Sequence, residues 1–154
     1  MDKIKARAKN NAYSLLRIRP RSEHEIRERL KLKGYNDLII DDVVEGLKKS
    51  RDIDDGKFAK FWVDSRMHLN PVGDIVLKHE LKDKGISDPI VEAALEAKDK
   101  TYDEYEVAFN MAAERFERLK KLDRRKAGKR IYDFLLRRGF KYDTIRKIIE
   151  TLVK

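Results

Sequence analysis

Three times the chain writes leucine, three further residues, glycine and then a large apolar residue. The copies are Leu30-Lys31-Leu32-Lys33-Gly34-Tyr35, Leu81-Lys82-Asp83-Lys84-Gly85-Ile86 and Leu135-Leu136-Arg137-Arg138-Gly139-Phe140. The glycines stand 51 and 54 residues apart. A period of that size means one supersecondary unit used three times. The motif also has a local meaning. Glycine tolerates the left-handed conformation at a helix C-terminus, and the apolar residue after it packs back on the last turn. Each copy therefore reads as a helix stop, with Gly34, Gly85 and Gly139 as structural caps. Gly34→Val is accordingly expected to damage the fold rather than the surface.

Apolar spacing between the stops is helical, and no segment alternates like a half-buried strand. In the first unit Ile4, Ala8, Ala12, Leu15 and Leu16 form one stripe. Pro20 interrupts it, and Ser22 with Glu25 makes a capping box for a second helix burying Ile26 and Leu30. Asn36 or Asp37 caps a third, with Ile40, Val43, Val44 and Leu47 inward. The second unit repeats the order. Asp54 or Asp55 caps a helix carrying Phe58, Phe61 and Trp62, Asn70-Pro71-Val72-Gly73 marks a turn, and Ser87 with Pro89 opens the last helix. In the third unit Thr101 and Glu104 read as a capping box, and Asp143 as the cap of the final helix. The expectation is an all-α chain of three tandem three-helix repeats, over residues 1–50, 51–99 and 100–154, forming one elongated, curved array. Ser50–Gly56 and Lys98–Thr101 are the expected hinges.

Several functions are excluded at this level. The chain has no cysteine, hence no disulfide framework, thiolate zinc site or Cys nucleophile. His24, His68 and His79 form no ligand spacing. Asp52-Ile53-Asp54-Asp55-Gly56 misses the calcium-loop pattern, because the glycine falls one position early and Val63 stands where a glutamate is needed. There is no glycine-rich phosphate loop and no nucleophile elbow. No enzyme activity and no cofactor are expected. No apolar run approaches the length of a membrane span, and Met1-Asp2-Lys3-Ile4-Lys5 is not followed by the apolar core of a signal peptide. A monomer in the cytoplasm, with no membrane contact, is the expected state.

What remains is charge. The chain carries a net +9, distributed as +7 over residues 1–33, −8 over 34–114 and +10 over 115–147. That segregation suggests an anionic partner, either a nucleic acid or an acidic protein surface. The candidate contact residues are Arg17, Arg19 and Arg21, expected to fan outward around Pro20, and Arg124, Arg125, Lys126, Lys129, Arg130, Arg137 and Arg138 along the penultimate helix. Arginine suits bidentate contacts to phosphate or carboxylate. Solvated faces of bundle helices are the competing explanation for the same side chains. Phe58, Phe61, Trp62, Phe116 and Phe134 read as core, whereas Tyr13, Tyr132 and Tyr142 flank basic residues.

Around the stops the chain resembles a known family. Arg19-Pro20-Arg21-Ser22, Glu25-Ile26, Leu30 and Lys33-Gly34-Tyr35 are similar to the first-repeat signature of the RecX regulatory proteins. Asp54-Asp55, Phe58-Ala59, Trp62-Val63, Arg66, Gly73, Leu77, Glu80-Leu81 and Lys84-Gly85-Ile86 resemble the second. Arg137-Arg138-Gly139-Phe140 with Ile145 resembles the end of the third. The resemblance covers about residues 8–153. It implies a protein that binds the RecA recombinase, chiefly its filament on single-stranded DNA, and inhibits its ATPase, strand-exchange and co-protease activities. Weak contact with single- or double-stranded DNA is compatible with it. Many members carry basic residues near the Pro/Gly turn of the second repeat, where this chain has Asn70-Pro71-Val72-Gly73-Asp74, so the expected contact shifts to the two basic ends. The alternative is a helical nucleic-acid-binding protein acting without RecA, either non-specific or helix-turn-helix-like.

Overall fold

The computed structural model describes residues 2–154, and among these it contains nine α-helices. They are α1 (Asp2–Ile18), α2 (Glu23–Leu32), α3 (Asp37–Lys49), α4 (Asp55–Leu69), α5 (Asp74–Asp83), α6 (Asp88–Thr101), α7 (Glu104–Arg118), α8 (Arg124–Arg137) and α9 (Tyr142–Leu152). The fold is all-α, in three successive triplets, and each triplet has a glycine stop after its second helix.

Hydrogen-bond closure explains the boundaries. At the start of α2 the Ser22 hydroxyl accepts from the Glu25 N–H at 3.1 Å. The Glu25 carboxylate accepts from the Ser22 N–H at 3.2 Å, so two orphan donors are satisfied reciprocally. At its end Gly34 takes φ +94°. There the Gly34 N–H donates to Lys31 at 2.9 Å and the Tyr35 N–H to Leu30 at 3.2 Å. The same two bonds close α5 through Gly85 and Ile86, and α8 through Gly139 and Phe140, with both glycines at positive φ. This is the Schellman arrangement, repeated three times.

Asn36 caps α3, accepting from the Ile39 N–H at 3.0 Å. Asp54 rather than Asp55 caps α4, accepting from Gly56 at 2.9 Å and Lys57 at 3.2 Å. Asp55 is used elsewhere and accepts from the Glu23 N–H at 2.9 Å.

Three of the expected caps and hinges differ from the structure. Thr101 is the last residue of α6, not a cap, and Asp103 caps α7 by accepting from the Glu106 N–H at 3.2 Å. The Lys98–Thr101 segment is consequently helix, not hinge. Its lysine is pinned: the Lys98 side chain is 1% exposed, bonded to Asp74 and 3.2 Å from Asp99. Burial alone would push the ammonium down, but the Asp74 and Asp99 carboxylates outweigh it and hold the pKa above its usual value. Finally, Lys141 and not Asp143 stands at the N-cap of α9, with no side-chain cap bond, because the first intrahelical bond runs from Ile145 N–H to the Lys141 carbonyl.

The chain divides into two units, residues 1–62 with 81–94, and 63–80 with 95–154. The first is built on Ala8, Ala12, Leu15, Ile26, Leu30, Ile39, Ile40, Val43, Val44, Leu47 and Ile53. Full burial of each larger aliphatic side chain in this set stabilises by about 1.5–3 kcal/mol. Ile4, expected on the same stripe, is 47% exposed, one turn beyond the last buried position of α1. The second unit packs Ala108, Ala112, Ile131, Phe134, Leu135, Phe140, Ile145 and Ile148, with Phe116, Leu119 and Leu152 half-buried against them. Phe58 is buried, whereas Phe61 and Trp62 are half-buried.

Candidate interaction surface

Helix α8 is electrostatically the odd one out. Every other helix carries an acid in its first turn, where the N-terminal end of the helix dipole favours negative charge. The first turn of α8 has none and instead holds Arg124, Arg125 and Lys126. A cation in that position is disfavoured by about 0.3–1 kcal/mol. The Asp123 carboxylate offsets part of this as N-cap, accepting from the Lys126 N–H at 2.9 Å. A local charge choice made against the helix is the kind of inconsistency that marks a functional surface.

The helical period then sorts the residues. Ala127, Gly128, Ile131, Phe134 and Leu135 turn inward. Arg125, Lys126, Arg130 and Arg137 are exposed, and none has an ion-pair or hydrogen-bond partner for its side chain among the described residues. Arg130 and Arg137, seven residues apart, share a face and line a hollow against α7 with Arg115, Leu119 and Asp133. Lys129 is exposed and pairs with Asp133 at 3.3 Å. Arg124 is partly committed, because its guanidinium donates to the carbonyl of Lys154. Arg138 is half-buried, donating to Asn70 Oδ1 at 2.5 Å and lying 5.4 Å from the centre of the Phe134 ring.

Sequence reasoning missed Arg115 and Arg118. Arg115 lies 4.2 Å from the centre of the Phe134 ring, a cation–π contact that fixes its guanidinium between α7 and α8. Arg118 joins Arg115 and Arg138 around a second hollow that includes Leu69, Met111 and Phe134. Both arginines sit in the last turn of α7, and that position was the available signal. Tyr142 is exposed, with the Arg146 guanidinium 4.6 Å from its ring centre and Tyr132 edge-on at 6.1 Å. Tyr13 donates to Asp52 at 2.8 Å.

The expected fan at Pro20 is largely folded inward. Arg17 is exposed and without a side-chain partner among the described residues. Arg19 forms a two-pronged pair with Glu25 at 2.5 and 3.2 Å and lies about 6 Å from the rings of Phe58 and Trp62. Arg21 donates to the Leu15 carbonyl at 3.3 Å and stands 3.9 Å from Glu25. Lys84 also reaches Glu25, at 3.5 Å. Burial alone would push the Glu25 carboxyl up, but the Arg19 hydrogen bond, the Ser22 N–H and Lys84 outweigh burial and hold it below the ordinary value.

A carboxyl depressed on folding stabilises fully above its unfolded pKa, about 4.3 for glutamate. That stabilisation is lost as pH falls through the lower folded value. The melting-temperature gap between the native chain and Glu25→Gln is therefore expected to be widest near neutral pH and to close on acidification below about pH 4. A gap that stays constant in a pH series would contradict the charge network.

Asp74, Asp99 and Glu104 bring carboxylate oxygens within 4.8 Å of one another. The Lys98 ammonium is already placed on two of the three. Burial, and then Asp74, push the Glu104 carboxyl up, consistent with its buried, unpaired Oε1. The group reads as an internal charge network tied by lysine. Among the described residues no helix is long and apolar enough to cross a membrane.

Comparison with known proteins accounts for almost the whole chain. Residues 8–47, 54–95 and 102–149 match the family models described as the first, second and third three-helix domains of RecX. The chain is 35% identical over 147 residues to Regulatory protein RecX of Prosthecochloris aestuarii, covering 96% of this chain and 94% of that one. To Regulatory protein RecX of Clostridioides difficile it is 32% identical over 152 residues, covering 99% and 71%. The crystal structure of RecX from Lactobacillus salivarius superposes with a TM-score of 0.84 at 26% identity, covering 99% of this chain and 98% of that one. Three successive domain matches in the order of the three helical triplets, with near-complete coverage of a 35% identical relative, establish that the chain belongs to the RecX family of regulatory proteins.

Proposed function

We propose that this chain binds the filament of the RecA recombinase on single-stranded DNA and lowers its ATPase, strand-exchange and co-protease activities, acting as a cytoplasmic monomer. The observation that carries the reading is family membership along all three repeats. The exposed cations of α8 support an anionic contact, with Arg125, Lys126, Arg130 and Arg137 as its centre and Arg115 and Arg118 beside them. Arg17 is the one residue of the first basic group with both exposure and an uncommitted side chain. Arg19, Arg21, Arg124, Lys129 and Arg138 act mainly through the fold that presents the others.

A fluorescent oligonucleotide, bare or coated with RecA from the same organism, separates this reading from direct nucleic-acid binding. Tighter binding of the chain to the coated strand is expected. If the chain neutralises phosphates, affinity for the bare strand falls steeply with salt, by about 0.7 in log–log slope for each phosphate contacted. Equal affinity for coated and bare strands would refute the RecA reading and favour a nucleic-acid-binding protein that acts alone.

A further inference from the structure

The turn after the second helix of a repeat serves twice as a seat for the first turn of another helix. At the end of α5, the Ser22 hydroxyl donates to the Lys84 carbonyl at 2.7 Å. A methyl group on Gly85 would stand 2.3 Å from the Cβ of His24, so the first turn of α2 rests directly on the glycine. Lys84 pairs with Glu25 of the same turn at 3.5 Å. At the end of α8, the Gly73 N–H donates to the Arg138 carbonyl at 2.7 Å. A methyl group on Gly139 would stand 2.6 Å from Val76 Cγ2, and Arg138 donates to Asn70 at 2.5 Å. Both seats have three parts: a glycine that admits close approach, a free carbonyl just before it, and a cation that takes an acceptor from the incoming turn.

The end of α2 has the same three parts and no occupant. Gly34 has the same left-handed conformation, with nothing within 4 Å of the position a methyl group would take. Among the described residues the Lys33 carbonyl has no hydrogen bond, and the Lys33 and Lys31 ammonium groups have no partner. Leu32 and Leu38 beside it are 82% and 70% exposed.

We propose that the Lys33–Gly34 turn is a docking seat for the first turn of a partner protein's helix, one with a hydroxyl N-cap and a glutamate three residues on. That is the chemistry α2 itself brings to Lys84 and Gly85 through Ser22 and Glu25. A second copy of the chain fits poorly. The start of α8 would set Arg124, Arg125 and Lys126 against Lys31 and Lys33. This proposal stands apart from the RecA reading, since it rests on the seats alone.

The probe is a lactam-bridged helical peptide copying residues 20–32, added to the full chain with backbone amide resonances followed by NMR. Concentration-dependent shifts are expected at Lys33, Gly34 and Tyr35, with Gly85 unmoved. The same peptide carrying Glu25→Lys is expected to bind about tenfold more weakly, the scale of one charge-assisted hydrogen bond. Lys33→Glu in the full chain, an exposed and unpartnered position, reverses that preference, so that the Glu25→Lys peptide becomes the tighter binder. No shift at residues 33–35, or equal shifts with both peptides, overturns the proposal. Self-association of the chain that Lys33→Glu abolishes would assign the turn to a second copy and overturn it as well.

Discussion

Gly73→Ala is expected to destabilise the fold strongly, through packing alone. Its new Cβ would stand 2.2 Å from the carbonyl oxygen of Gly139, 2.4 Å from the carbonyl carbon and 2.6 Å from the N of Phe140. All three are backbone atoms of a hydrogen-bonded turn, so no rotamer change relieves the overlap. The Gly73 N–H also donates to Arg138 at 2.7 Å, so a shift large enough to clear the methyl group breaks that bond. Gly73 is not at positive φ, which makes the cost one of packing alone. Forcing a methyl group into packed backbone costs about 3 kcal/mol, the upper part of the usual range. For a chain of this size that is a fall of about 6–12 °C in melting temperature.

Gly34→Ala isolates the other effect. It keeps the left-handed strain but meets open space, so its cost is limited to about 1–2 kcal/mol. Thermal denaturation that ranks Gly34→Ala as the worse of the two would contradict the seat at Gly139. The expectation of a damaged fold at Gly34 is thereby narrowed to backbone strain, which a valine there also meets.

The second large effect is functional. Replacing Arg125, Arg130 and Arg137 together by Glu is expected to weaken association with a RecA-coated strand by at least about tenfold. Like charges brought together at an interface cost several kcal/mol. Stability should change little, by about 0.5 kcal/mol per site, because the three side chains are exposed and unpaired. Arg124 is left intact, since it holds the Lys154 carbonyl and its loss would mix a structural effect into the readout. Binding measured beside a melting curve separates the two. Unchanged affinity would move the contact off α8, toward Arg17.

Much of the architecture was legible because its signals are local. A glycine stop needs only six residues of chain to close its two bonds, and Ser22 with Glu25 satisfies its own donors within one turn. Asp103 escaped because two cap patterns overlap: Thr101 precedes Glu104 and Asp103 precedes Glu106 with the same spacing. The choice between them accompanies a contact 24 residues away, the Lys98–Asp74 bond that anchors the last turn of α6. The basic surface was half legible. Composition located the charge of α8, and the helical period chose its outward face. It did not reveal that Arg19 and Arg21 close on Glu25, or that Arg115 is fixed over Phe134, because those contacts depend on packing. The seats were hidden for the same reason. Ser22 and Lys84 are 62 residues apart, so the role of Gly85 beyond a helix stop exists only in three dimensions.

Regulation of the recombinase is the central claim. The direct measurement is ATP hydrolysis by RecA from the same organism on single-stranded DNA as the chain is added. The rate is expected to fall with added chain and to be suppressed by stoichiometric amounts, with the Arg125, Arg130 and Arg137 to Glu variant requiring at least about tenfold more. A rate unchanged at stoichiometric chain would contradict it.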